Sequence, residues 1–336
     1  MSNDAFSSRA AADAILAEAE RAAEALTRVR AEVGKAVFGQ ERVVEQTLAC
    51  ILSGGHALLV GAPGLAKTRL VHALADVIGL PWARVQFTPD LMPADILGSE
   101  VLDQDSAGKR HFRFVKGPVF TSLLMADEIN RASPRTQSAL LQAMQERRVT
   151  IAGQNYDLPA PFHVLATQNP IEHEGAYPLP EAQLDRFLLQ IDVPYPDEDT
   201  ERRILIETTG TQEAQPARVL DAAALSALQS LVRRMPVGEK VVGAILNLVR
   251  AARPGGSHDA RVNAHVEWGP GPRAGQALML ACRARALLRG RLTPTLDDVA
   301  ALARPALSHR MALSFSARAE GVDVDALLDD LVAQAA

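Results

Sequence analysis

The stretch Gly61-Ala62-Pro63-Gly64-Leu65-Ala66-Lys67-Thr68 constrains this chain most. An apolar run, Ala57-Leu58-Leu59-Val60, precedes it, and Leu70, Val71, Leu74, Val77 and Ile78 follow at helical spacing. Strand, glycine-rich turn and helix in that order are the setting in which a phosphate-binding loop is credible. Inward-pointing backbone N–H groups and the positive end of the next helix together attract a polyphosphate. Lys67 is then expected to reach the β- and γ-phosphates, and the Thr68 hydroxyl to ligate Mg²⁺. Ala66 departs from the general pattern, which has glycine before the lysine. In the first helical turn, with negative φ, its methyl group would cost little, leaving Gly61 and Gly64 to carry the unusual dihedrals.

A triphosphate site needs an acid at the end of a buried strand. Leu123-Leu124-Met125-Ala126-Asp127-Glu128 supplies one. Asp127 is expected to hold Mg²⁺ through its water shell, and Glu128 to polarise the water that attacks the γ-phosphate. Asn169, in Ala166-Thr167-Gln168-Asn169-Pro170, would cap the next strand and could orient that water, although Asn-Pro is also ordinary turn chemistry.

The rest of the chain divides by periodicity. Residues 5–35 are Ala-rich, with Ile15, Leu16, Leu26, Val29 and Val33 on one stripe, and read as a docking helix or a partly disordered extension. A helical period returns through Val43, Val44, Leu48, Ile51 and Leu52, and Arg84–Phe87 reads as a strand. Residues 99–117 and 149–158 read as hairpins around polar, Gly-containing turns. Phe120–Ala126 and Phe162–Ala166 read as buried strands, and Ser133-Pro134 opens a helix. Beyond Pro194-Tyr195-Pro196 every long segment has helical period, with a Gly/Pro-rich loop over 254–271 and a capping box at Thr295–Asp298. The expected organisation is an N-terminal helical extension (1–35), an α/β core with a central, mostly parallel sheet (36–195) and an all-helical lid (196–336).

Phe38-Gly39-Gln40, the phosphate loop, Asp127-Glu128-Ile129-Asn130-Arg131-Ala132, Ala166–Pro170 and Tyr177-Pro178-Leu179-Pro180-Glu181-Ala182-Gln183-Leu184-Asp185-Arg186-Phe187 together resemble the MoxR family of AAA+ ATPases. The similarity runs in order from about residue 36 to Ala319-Glu320-Gly321, and Ala66 is itself usual in that family. The resemblance implies an AAA+ core with a helical lid, a homo-oligomeric ring of six subunits, and ATP with Mg²⁺ as cofactors. It implies that Phe38 and Gly39 line the adenine pocket. Gly61 to Thr68 would cradle the phosphates, Thr68 and Asp127 would serve the metal, and Asn169 would be the first sensor. Arg186 matches the arginine that reaches the neighbouring subunit's nucleotide, with Arg131 and Arg135 as runners-up. Arg273, in Gly271-Pro272-Arg273-Ala274, matches the lid's sensor arginine, although Gly271 stands where Ser is common. The hairpins would correspond to the helix-two insert and the pre-sensor hairpin. Phe112 and Phe114 are read as packing residues before contact residues. A partner with a von Willebrand factor A domain, and chaperone-like maturation or metal loading of a client enzyme complex, are further implications.

Composition limits the alternatives. A formal net charge of −5 leaves no footprint for wrapping nucleic acid, which weighs against a DNA-remodelling motor. An ATPase subunit of a magnesium chelatase also fits the motifs, whereas intact Glu128, Asn169 and Arg186 speak against a nucleotide-gated scaffold that barely hydrolyses ATP. Cys50 and Cys282, far apart in helix-like segments, read as buried reduced thiols. His111, His163, His173 and the other histidines lack metal-ligand spacing. No apolar run approaches a bilayer span, so a cytoplasmic protein without membrane insertion is expected.

Overall fold

The structure, a computed structural model, describes residues 2–104, 109–170, 176–209 and 215–335. Helices α1 (Ser2–Gly34) and α2 (Glu41–Leu52) precede strand β1 (Ala57–Val60), and α3 (Lys67–Ile78) follows it directly after the glycine-rich loop. Next come β2 (Trp82–Gln86), the short α4 (Pro93–Leu97) and a hairpin of β3 (Gly98–Gln104) and β4 (Arg110–Lys116). Then follow β5 (Leu123–Asp127), α5 (Pro134–Glu146), a second hairpin of β6 (Arg148–Ile151) and β7 (Gln154–Asp157), β8 (His163–Gln168), α6 (Glu181–Leu184) and β9 (Leu189–Asp192). The sheet has five strands in the order β2-β5-β8-β1-β9, and every pairing in it is parallel.

Such strands are covered on both faces, which is why they read as unbroken apolar runs. Successive side chains alternate between the faces. Leu123, Met125, Leu59 and Leu165 join the core with α2 and α3, whereas Leu124, Ala126, Leu58 and Val164 join the core with α5. The end signals are local. Ser133 Oγ accepts the Thr136 N–H at 3.4 Å with Pro134 in the first turn of α5, and Gly79 closes α3 in the left-handed region. The strand expected from Phe120 starts only at Leu123, because Phe120 N–H closes a turn on Gly117 O at 3.1 Å.

The C-terminal part comprises α7 (Glu198–Thr208), α8 (Ala222–Arg234), α9 (Glu239–Ala251), α10 (Ala260–His265), α11 (Pro272–Leu288), α12 (Leu296–Leu307), α13 (Phe315–Ala319) and α14 (Val324–Ala335). One small ladder, β10 (Val266–Trp268) with β11 (Ala312–Leu313), interrupts the helices. The expected loop over 254–271 therefore contains α10 and β10. Asp259 caps that helix by accepting the Arg261 N–H at 2.9 Å, a signal masked in the sequence by Gly and Pro on both sides. Helix α11 lies against α2, and α12 lies against β9. Helix α1 docks rather than trailing: Ala19, Ala22, Leu26, Val29 and Val33 are buried at spacings of three and four, and Glu18 binds Arg234 of α8 at 2.6 Å.

The two hairpins pack on each other. Phe114 of β4 stacks on Tyr156 of β7 at 4.2 Å between centroids and meets Phe120 edge-on at 5.6 Å. Phe112 does not follow it. It lies opposite Leu102 near the hairpin's far end, 70% exposed, beyond the reach of the sheet. The turn over 105–108 lies outside the described residues.

Candidate nucleotide site

Because β5, β8 and β1 are adjacent and parallel, their C-terminal ends open onto one edge. That edge brings Asp127-Glu128, Asn169 and the loop Gly61–Thr68 together, and Gly61 N–H donates to Gln168 O at 3.2 Å. Gly61 is needed for close approach, since a Cβ there would lie 2.7 Å from Val193 O. Its φ is not positive. The unusual dihedrals fall on Gly64, at φ +84°, and on Ala66, at φ 55° and ψ 21°. This corrects the expectation of negative φ at Ala66. The residue caps α3, its carbonyl accepting the Leu70 N–H at 2.9 Å, and the chain turns from loop into helix at that point.

Lys67 Nζ donates to Gly61 O at 2.5 Å and to Ala62 O at 3.2 Å, across the mouth of the loop. Burial pulls its pKa below the usual value, and the Asp127 and Glu128 carboxylates push it back up. Asp127 is nearly buried. Its Oδ1 accepts the Thr167 hydroxyl at 2.5 Å, and its Oδ2 accepts Arg84 Nη2 at 2.5 Å and Nε at 3.1 Å. Glu128 sits at φ 55°, its N–H donating to Thr167 Oγ1 at 2.8 Å. One oxygen, Glu128 Oε2, accepts from Gln86 Nε2 at 2.6 Å and from Arg131 Nη1 at 3.1 Å. Arg131 is thus engaged with the acid of its own chain, while Arg135 is exposed on α5. Sequence reasoning missed Arg84, Gln86 and Thr167. Only the strand order, with Gln86 opposite Asp127, reveals the first two.

Phe38 and Gly39 lie under α7. The Arg203 guanidinium stands 5.3 Å from the Phe38 ring centre. Gly39, at φ +65°, leaves no room for a side chain, because a Cβ would come within 2.2 Å of Thr200. Hard-oxygen donors, the Thr68 hydroxyl and the Asp127 carboxylate, flank the loop and suit Mg²⁺. The loop N–H groups, Lys67 and the start of α3 suit a polyphosphate. The residues therefore fit a magnesium-bound nucleoside triphosphate. Of the histidines, His163 is buried and His111 exposed, and His173 lies outside the described residues. Among the described residues no cluster could hold a metal through His, Cys, Asp and Glu alone, and no helix is long and apolar enough to cross a membrane. Cys50 and Cys282 are buried free thiols.

Arg186 and Arg273 lie elsewhere. They line a cavity of about 270 Å³ with Gly54, Gly55, His56 and Arg147. Gly54 to His56 lead into β1, whereas the phosphate loop leaves it, so the two arginines occupy the opposite edge of the sheet from Lys67. Arg273 Nη1 donates to Asp185 Oδ2 at 3.2 Å.

Comparison with known proteins agrees with this geometry. The family model of ATPases associated with various cellular activities (AAA) matches residues 56–189, and that of the AAA lid domain matches residues 258–331. The chain is 42% identical over 313 residues to Chaperone MoxR1 of Mycobacterium tuberculosis, covering 92% of this chain and 81% of that one. It is 32% identical over 307 residues to Protein MoxR of Methylorubrum extorquens, covering 86% and 88%. A solved structure from Cytophaga hutchinsonii, of a protein proposed to be an ATPase, superposes with a TM-score of 0.87 at 35% identity and covers 97% of both chains. The AAA family match, the 42% identity to the mycobacterial MoxR relative and the fold shared with the solved structure lead to one conclusion: the chain belongs to the MoxR family of AAA+ ATPases and is an ATP hydrolase.

Proposed function

We propose that this ATPase works as a homo-oligomeric ring, six-membered on the family pattern, in which each ATP lies between two protomers and hydrolysis remodels a client protein complex. One protomer supplies the loop Gly61–Thr68, with Lys67 on the β- and γ-phosphates and Phe38 and Gly39 beside the adenine. Thr68 and Asp127 hold Mg²⁺, which neutralises charge on the phosphates when bound. Glu128 takes the proton of the attacking water, and Asn169 orients that water. The neighbour supplies Arg186 and Arg273. An arginine in that position is worth about 10³–10⁵ in rate.

The observation that carries this reading is the placement of the two arginines. β1 is four residues long, so its ends lie roughly 13 Å apart. Arg186 and Arg273 stand at the entry end, and the phosphate loop at the exit end. Side chains at that end stand away from their own loop and would serve a nucleotide held by another copy.

The chaperone name of the mycobacterial relative supports the remodelling role. A client enzyme complex matured or loaded with metal, a partner with a von Willebrand factor A domain, and a cytoplasmic setting complete the proposal. Glu128→Gln protein should bind ATP, stay assembled and retain its client, since the water-activating carboxylate is lost while the phosphate contacts remain. Mass spectrometry of what it retains from lysate in ATP, but not in ADP, identifies the client. Undiminished turnover by this variant would show that Glu128 is not the base, and ATP-independent retention would count against remodelling.

A further inference from the structure

The lid holds a buried guanidinium that the motifs did not single out. Arg310, in the 3-10 turn Ser308–Arg310, is 1% exposed. An arginine has five N–H donors, and here all five are used. Nε donates to Asp185 Oδ1 at 2.7 Å. Nη1 donates to Leu188 O at 3.2 Å and to Ala306 O, and Nη2 to Phe187 O at 2.7 Å and Asp185 O at 3.2 Å. His309 Nε2 adds a bond to the same Phe187 carbonyl at 3.1 Å. The lid therefore grips the backbone on both sides of Arg186. With no donor left over, Arg310 cannot itself reach a phosphate.

Asp185 continues the chain of contacts. Its Oδ1 is tied to buried Arg310, and its Oδ2 to Arg273, whose side chain is 54% exposed. The inner bond is fixed by burial, and the outer one sits where solvent or an anion can compete for it. Arg147, Arg186, Arg273 and Arg310 all line this cavity, and Asp185 is the one carboxylate among its lining residues. It thus holds two of these mutually repelling cations, Arg310 and Arg273, and lies next in the chain to a third, Arg186.

We propose that Asp185, clamped by Arg310, is a positioning residue that presents Arg186 and Arg273 as one unit to the neighbouring protomer's nucleotide. The proposal rests on the shared-site reading above. A lysine at 310 could not substitute, because three donors on a rotatable head cannot satisfy a planar set of five acceptors.

The test is steady-state ATP turnover of the full chain carrying Asp185→Asn, alone and mixed with Glu128→Gln subunits. Asp185→Asn keeps an acceptor for Arg310 Nε and removes the charge that holds Arg273. Its kcat should fall at least about tenfold, a part of what an arginine acting in trans supplies. Its affinity for a fluorescent ATP analogue should stay within about twofold, because the phosphate loop lies at the other edge of the sheet. Mixing with Glu128→Gln should restore turnover, since that subunit brings a correctly set pair of arginines; a general folding defect would not be repaired by a neighbour. Asp185→Glu keeps the ion pair with Arg310 but displaces the carboxylate, and should show the same loss and the same rescue. Full turnover by Asp185→Asn and Asp185→Glu would overturn the proposal. So would a loss that Glu128→Gln fails to repair in mixtures where it does repair Arg186→Ala. If Arg186→Ala is not repaired either, the shared site fails and the proposal falls with it.

Discussion

Ala66 offers a test of the phosphate loop's geometry in which the sign of the effect decides. At φ 55° and ψ 21° it sits in the left-handed region, exposed, at the N-terminus of α3. A residue with a Cβ pays about 1 kcal/mol or more for that conformation. Ala66→Gly removes the strain but gives the unfolded chain more freedom, which offsets about 0.4–1 kcal/mol of the gain. The net expectation is a protein as stable as wild type or stabilised by about 0.5 kcal/mol. Ala66→Val should lose about 1–3 kcal/mol, because a β-branched side chain tolerates this region worst. Equilibrium urea unfolding without nucleotide reads both changes, and a fluorescent ATP analogue reports on the loop. Affinity should survive Ala66→Gly and weaken in Ala66→Val, whose distortion reaches the N–H groups of Lys67 and Thr68. A loss of about 1 kcal/mol in Ala66→Gly is what an ordinary helical position would give, and would refute the left-handed assignment.

Two further predictions concern pH and the lid. Burial lowers the pKa of His56 to about 3, helped by the charges of His163 and Arg147 and opposed by its bond to Met144 O; burial likewise lowers His163 to about 4. Both folded values lie below the unfolded value near 6.5, so the unfolded state binds more protons; stability, full above about pH 6.5, should fall as pH drops through the window from about 6.5 to 4, measured by urea unfolding. Asp298 is fully buried, and its pKa, raised by burial, is brought below normal by bonds from Arg291, the Thr295 N–H and Arg285. Asp298→Ala should cost about 3 kcal/mol by removing the buried carboxylate that Arg285 and Arg291 share, with only the 3.7 Å pair of Arg285 with Glu45 left to the cluster, and a change under about 1 kcal/mol would show the cluster to be loosely solvated.

The parts of this molecule that were legible in the sequence are those whose signals are local. The phosphate loop, the buried strand ending in Asp127-Glu128, both hairpins and the cap at Ser133 each announce themselves within a single short segment of the chain. The apolar positions of α1 left docking and disorder both open; Leu26, Val29 and Val33 are buried, whereas Leu16 is exposed. Relations between distant segments were hidden. Arg84 and Gln86 read as unremarkable strand residues until the strand order sets them beside the acid pair. Arg310 stands 125 positions from Asp185, and nothing in Ser308-His309-Arg310 marks a buried cation. Phe112 and Phe114 share one alternating pattern, yet of the two Phe114 stacks on the second hairpin, while Phe112 lies two residues nearer the turn of its own hairpin. Ala66 was misjudged for a related reason: where the dihedrals of a loop are shared out depends on how the whole loop closes.

The central claim, that ATP is cleaved by groups from two protomers, is tested most directly by mixing Arg186→Ala and Glu128→Gln subunits, each inactive alone. In randomly assembled rings at equal ratio, about one quarter of interfaces (one half times one half) pair an intact Glu128 with an intact Arg186, so turnover should rise to about one quarter of the wild-type value. Activity that never exceeds the sum of the two separate variants, at any ratio and under conditions where subunits exchange, would contradict the shared site.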